Sequence, residues 1–174
     1  EFGGATGAGA LYCLDCDLSV SKKIDSVSIS NGIVWSANGK TMYFIDSPLN
    51  TVRAYDYDVD TGDISNERAV CQNDGAGVFD GMAIDGEGTL WIAVYGGWAV
   101  KRYDPQSGTL LAEYEMPFSN VTSCAFGGKN MDELYITSAC EKMDDATLAA
   151  QPLAGSLVKI DPQSSGVPSP AFAG

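Results

Sequence analysis

The chain has 174 residues, with 10 Lys and Arg against 23 Asp and Glu, a formal charge of −13 and no histidine. The absent histidine excludes Ser-His-Asp and Cys-His catalysis and every His-bearing zinc or haem site. The acidic balance, with basic residues scattered singly, argues against nucleic acid and membrane as partners and leaves divalent cations and neutral or cationic small molecules.

Length gives about one domain, and 20 Gly, 8 Tyr, 6 Phe and 3 Trp without long Leu/Ala/Glu/Lys windows point to sheet. At the start, Gly9-Ala10-Leu11-Tyr12-Cys13-Leu14-Asp15 matches Gly155-Ser156-Leu157-Val158-Lys159-Ile160-Asp161, so the chain opens in the second half of a repeated unit. Cys13-Leu-Asp-Cys16 has CxxC spacing, but no second pair and no βαβ context support zinc or redox work. Five cysteines, an odd set in a chain too long for a disulfide-built miniprotein, predict free, mostly buried thiols and a cytoplasmic protein. No apolar run approaches the ~18 residues of a membrane span.

Three full units follow. The first runs from Ser30-Asn31-Gly32-Ile33-Val34-Trp35 through a turn at Asn38-Gly39 to Thr41–Ile45. The second runs from Phe79-Asp80-Gly81-Met82-Ala83-Ile84 through Gly86-Glu87-Gly88 to Leu90–Val94, and the third from Thr122-Ser123-Cys124-Ala125-Phe126 through Gly127–Asn130 to Leu134–Ile136. Aligning Asn31, Asp80 and Ser123 gives periods of 49 and 43 residues. A unit of four short strands at that period is a propeller blade, its first strand innermost. The expected fold is therefore all-β: a β-propeller arc of about three and a half four-stranded blades. It divides into a half blade over 1–29 and blades over 30–78, 79–121 and 122–174. Trp35, Trp91 and Tyr135 are expected in equivalent environments. An arc of this size leaves three alternatives: missing N-terminal blades, a second chain completing the ring, or an open arc with exposed edges.

Other signals have plainer readings. Asp56, Asp58 and Asp60 with Glu67 imitate an EF-hand loop, but Thr61 occupies the place of the required glycine, and the acids read as turn carboxylates. Gly75-Ala-Gly77 and Gly3-Gly4 with Gly7-Ala-Gly9 echo dinucleotide loops without a following helix. Asn120-Val-Thr122 is a formal glycosylation sequon. Tyr95, Trp98 and Ser123 are candidates for the channel mouth, and Met143–Gln151 is the one helix-permissive stretch, expected inside a loop of the last blade.

The chemistry-bearing pair is Asn31 and Asp80. Matching places in successive blades put both side chains at one end of the channel, where an amide oxygen and a carboxylate are hard donors for Ca²⁺, Mg²⁺ or Mn²⁺. Asn-Gly and Asp-Gly are also ordinary turn dipeptides, and the pattern alone does not separate the two readings.

The motifs together resemble the SMP-30/gluconolactonase/luciferin-regenerating-enzyme family. They are Ile29–Ser36, Tyr55–Asp58 with Thr61-Gly62 and Ile64–Asn66, Asp80–Asp85 with Gly88–Ala93, Thr122–Asn130, and the terminal Phe172-Ala173-Gly174. The resemblance spans roughly residues 9–174 and is to the C-terminal part of family members. It implies a six-bladed propeller with one divalent ion in the channel (Ca²⁺ or another divalent cation such as Mn²⁺, Mg²⁺ or Zn²⁺) and hydrolysis of sugar lactones. It further implies Asn31 and Asp80 as metal ligands, with Asp80 also the catalytic base. The family's glutamate ligand and its Arg/Asn/Glu substrate set belong to blades outside this sequence. The segment thus resembles a metal-dependent lactonase, a carboxylic ester hydrolase, without the N-terminal site residues. The alternative is a non-catalytic calcium-binding or protein-interaction module.

Overall fold

Turns built on Gly and Asn cut the chain into short strands, all paired with sequence neighbours. Among residues 5–169 and 171, which the computed structural model describes, the strands are β1 (Gly9–Leu14), β2 (Val20–Val27), β3 (Ser30–Trp35), β4 (Thr41–Asp46), β5 (Thr51–Tyr57), β6 (Ile64–Gln72), β7 (Val78–Ile84), β8 (Leu90–Tyr95), β9 (Ala99–Asp104), β10 (Thr109–Glu115), β11 (Val121–Gly127), β12 (Glu133–Ser138) and β13 (Leu157–Ile160). The family motif at Phe172–Gly174 and the Gly3-Gly4 pair lie outside the described residues.

Every pairing is antiparallel, in four sheets: β1-β2, β3 to β6, β7 to β10, and β11 to β13. The first strand of each full sheet faces the next, with β7 packed between β3 and β11. This is a propeller arc, with β3, β7 and β11 innermost. The sole described α-helix, α1 (Asp145–Ala150), lies in the loop between β12 and β13, where the sequence permits one, and Asp144 caps it by accepting from the Thr147 N–H at 2.8 Å.

The core lies between sheets rather than at one centre. Strand β8 shows why: Leu90, Ile92 and Val94 point into the layer shared with the preceding sheet, beside Ile45, Val52, Phe79 and Tyr103. Trp91 and Ala93 point the other way, into the layer with Val100, Phe118, Leu134 and Ile136. A strand's period of two thus serves two cores when both faces are covered. A third layer, around Val27, Met42 and Phe44, joins the β1-β2 hairpin to the next sheet.

Three expectations need correction. The last sheet holds three strands among the described residues, and the segment after β13 carries Pro168, which cannot donate to a ladder. That segment instead crosses to the β7-β8 turn, where the Gly86 N–H donates to the Ser165 carbonyl at 2.7 Å. Trp35 is not equivalent to Trp91 and Tyr135. Register places Tyr43, Trp91 and Tyr135 at one position of the second strands, whereas Trp35 ends a first strand, 39% exposed and edge-on to Tyr57. The cysteines are all free, but only Cys71 and Cys124 are buried, since Cys13, Cys16 and Cys140 sit on the peripheral hairpin and in a loop.

Candidate functional site

The site begins with an irregularity shared by the inner strands. Pairing shifts register between Ser30 and Ile33 in β3, between Phe79 and Met82 in β7, and between Val121 and Ser123 in β11. Asn31-Gly32 and Asp80-Gly81 therefore sit in bulges within strands, not in turns, and bulges re-aim side chains. Register also shows that Thr122 corresponds to Asn31 and Asp80, one residue before the Ser123 of the sequence alignment.

The two glycines allow these strands to meet. A Cβ on Gly32 would stand 2.6 Å from the Met82 Cβ and 2.9 Å from the Asp80 carbonyl oxygen, and one on Gly81 would collide with Ser123. Close approach lets the Asn31 amide donate to the Asp80 carboxylate. The second hydrogen of the Asn31 amide reaches Ser47 Oγ at 3.0 Å. Both N–H groups are then spent, and the amide oxygen remains as a donor to a cation.

Asp80 is half-buried, and burial pushes its carboxyl up to about 6, against the hydrogen bonds from Asn31 and the Gly81 N–H. Its charge is thus only partly compensated by the protein. Beside it, Asn120 Nδ2 donates to Tyr95 Oη at 3.1 Å, and burial, then the charges of Glu141 and Asp80, push the Tyr95 phenol up. Ser123 lies against Gly81, and Trp98 sits further out in the β8-β9 hairpin, 45% exposed.

The other sequence signals resolve simply. Asp58 accepts from the Asp60 and Thr61 N–H groups, Asp56 from Asn66 and Arg68, and Glu67 from the Tyr55 hydroxyl, so the EF-like acids are consumed locally. Asn120 is buried with its amide engaged, which leaves no accessible sequon. Sequence reading missed Ser47, Asn50, Asn120 and Glu141 at this end of the arc. Only the Ser47-Pro48 helix-start pattern after β4 offered a signal for any of them.

Donor chemistry at Asn31 and Asp80 fits a hard divalent cation: a neutral amide oxygen beside an undercompensated carboxylate. Among the described residues no three His, Cys, Asp or Glu side chains gather into a full metal cluster. Comparison with known proteins bears directly on this arrangement. Residues 1–140 match the SMP-30/Gluconolactonase/LRE-like region, and a relative named regucalcin, from Gallus gallus, is 45% identical over 168 residues, 95% of this chain and 56% of that protein. The chain belongs to the SMP-30/gluconolactonase/LRE-like family. A solved structure described as a calcium-binding protein, regucalcin, from Agrobacterium tumefaciens is 34% identical with a TM-score of 0.87, over 94% of this chain and 55% of that one. A gluconolactonase from Xanthomonas campestris is 25% identical with a TM-score of 0.63, over 74% and 41%. The chain spans about half the length of the curated relatives it matches.

Proposed function

We propose that this chain carries the base and two cation ligands of a divalent-metal-dependent hydrolase acting on sugar lactones. The observation that supports it most is the Asn31-Asp80 pair itself, a half-buried carboxylate pushed up to about 6 and contacted by one amide. A carboxylate ionised at physiological pH can accept the proton of a water that it positions. Kinship with a protein named gluconolactonase supplies the substrate class, and kinship with one described as calcium-binding supplies the ion class.

In this reading Asn31 and Asp80 would hold a cation such as Ca²⁺ or Mn²⁺, which when bound supplies Lewis-acid polarisation of the lactone carbonyl. Asp80 orients a water molecule and takes its proton as the oxygen bonds to the carbonyl carbon. The ring C–O bond then breaks, and the proton passes from Asp80 to the departing ring oxygen, giving the open hydroxy acid. Asn31 holds Asp80 through the shared hydrogen bond and, being neutral, adds no charge to compete with the carboxylate. Tyr95 and Asn120 wall the Asp80 side. The five unpaired cysteines support a reducing, cytoplasmic setting.

Asp80→Asn in the full-length protein is the test. It keeps size and one oxygen donor but removes the base, and we expect kcat for δ-gluconolactone to fall about 10²–10⁴-fold with the fold intact. Activity within a few-fold of the parent at saturating Mn²⁺ would remove Asp80 as the base. Tight Ca²⁺ binding without hydrolysis of any lactone would favour a non-catalytic calcium-binding module instead.

A further inference from the structure

A single turn joins the two halves of the candidate site. Between β4 and β5 the chain makes a 3₁₀ turn over Ser47–Leu49, started by Pro48 and closed by Asn50 in the left-handed region at φ 50° and ψ 34°. Ser47 is 4% exposed, and its N–H is held by the Ile29 carbonyl at 3.0 Å, so its hydroxyl is fixed where it accepts from Asn31 Nδ2. At the other end of the turn, Asn50 reaches across to the next sheet. Its Oδ1 accepts from the Phe79 N–H at 2.9 Å, and its Nδ2 donates to the Gly77 carbonyl at 3.3 Å. Phe79 is the residue immediately before Asp80.

The Asn50 amide thus takes the place of a strand partner for the backbone entering β7. Its grip is reinforced by Asn73, whose N–H donates to the Asn50 carbonyl at 3.2 Å and whose Nδ2 ties down the carbonyls of Ala76 and Gly77. Left-handed backbone at Asn50 is what aims its side chain outward from the turn, and asparagine tolerates that conformation.

We propose that Ser47 and Asn50 are positioning residues. One turn sets which end of the Asn31 amide faces a cation and, from its other end, where the backbone carrying Asp80 enters the site. This rests on the reading of Asn31 and Asp80 as cation ligands. Outer partners of this kind change metal affinity about 10–100-fold when lost. Ser47 removes the freedom of the Asn31 amide to rotate and present N–H groups to the ion. Asn50 removes the freedom of the bulge at Asp80-Gly81 to shift along β7.

The test is Mn²⁺ titration of the full-length protein followed by electron paramagnetic resonance, with thermal unfolding of the metal-free protein in parallel. Ser47→Ala should weaken Mn²⁺ about 10-fold or more while the metal-free melting temperature moves little, and Ser47→Thr, which keeps the hydroxyl, should restore binding. Asn50→Gly, which keeps the left-handed backbone and deletes only the amide, should weaken Mn²⁺ similarly. Should Ser47→Ala fail to fold, Asn50→Gly decides the matter. Asp80→Ala is the reference. If Asp80→Ala loses the ion while Ser47→Ala and Asn50→Gly bind it like the parent, the positioning role is overturned and the ligand assignment stands. If Asp80→Ala itself binds Mn²⁺ like the parent, the ligand assignment falls and the positioning role falls with it.

Discussion

Strand β7 has an aspartate near each end, and the two live under opposite electrostatics. Asp85, just past the inner strand and 1% exposed, accepts from the Thr89 N–H and hydroxyl, Trp91 Nε1, Ser164 and the Arg102 guanidinium. Burial raises its carboxyl, but these donors together outweigh burial and leave it below the usual range. Asp80, at the other end, has its pKa pushed up, because Asn31 and the Gly81 N–H are too few to offset burial. Donor count separates a carboxylate tied into the fold from one whose charge is only partly compensated.

Breaking the satisfied end should cost most. Asp85→Ala removes the buried partner of the Arg102 guanidinium and orphans five other donors, and we expect a loss of roughly 3–5 kcal/mol by urea unfolding. A loss under 1 kcal/mol would show that water replaces the carboxylate freely and that the two ends differ less than the geometry indicates.

Next in size is the opposite sign at the opposite end. Burial pushes the Asp80 pKa up to about 6, from 3.8 for a free aspartate, so its stabilising contribution is full below pH 4 and lost as pH rises through 6. Allowing for partial exposure, Asp80→Asn should stabilise the metal-free protein by about 1–2 kcal/mol at pH 7.5 and by nothing measurable at pH 4. Asp85 behaves conversely: with its pKa lowered, its contribution is present above the unfolded value and lost as pH falls. Equal unfolding midpoints for Asp80→Asn and parent at pH 7.5 would mean that Asp80 is better compensated than its two donors suggest.

Smallest is a control on the same guanidinium. Arg102 also pairs with Glu87, but Glu87 is 73% exposed, so Glu87→Gln should change stability by less than about 0.5 kcal/mol. A cost comparable to that of Asp85→Ala would dissolve the distinction between a buried and an exposed partner.

The contrast also marks what was readable in the chain. Strand-turn repetition carries the inner strands and the hairpins, which depend on local alternation and turn chemistry, and sets Asn31 and Asp80 at matching positions of successive units. Asp85 carries no role legible in the sequence, since besides the local Glu87 and Thr89 its donors are Trp91, Arg102 and Ser164, the last 79 positions away. Ser47 and Asn50 were invisible for the same reason: their roles exist only once two sheets are adjacent. Trp35 was misplaced because aromatic identity was matched across units where strand register was needed.

Strand β8, with a different core on each face, makes the arc behave as a row of coupled elements in which each sheet communicates only with its neighbours. Opening energies should then grade along the row. Amides of β8 exchange only when two interfaces are lost together, whereas those of β1 and β2, which have one interface and leave Tyr12, Leu14 and Val20 exposed, exchange through a local event. An opening that starts elsewhere reaches the Asn31-Asp80 pair only through the layers that flank β3 and β7.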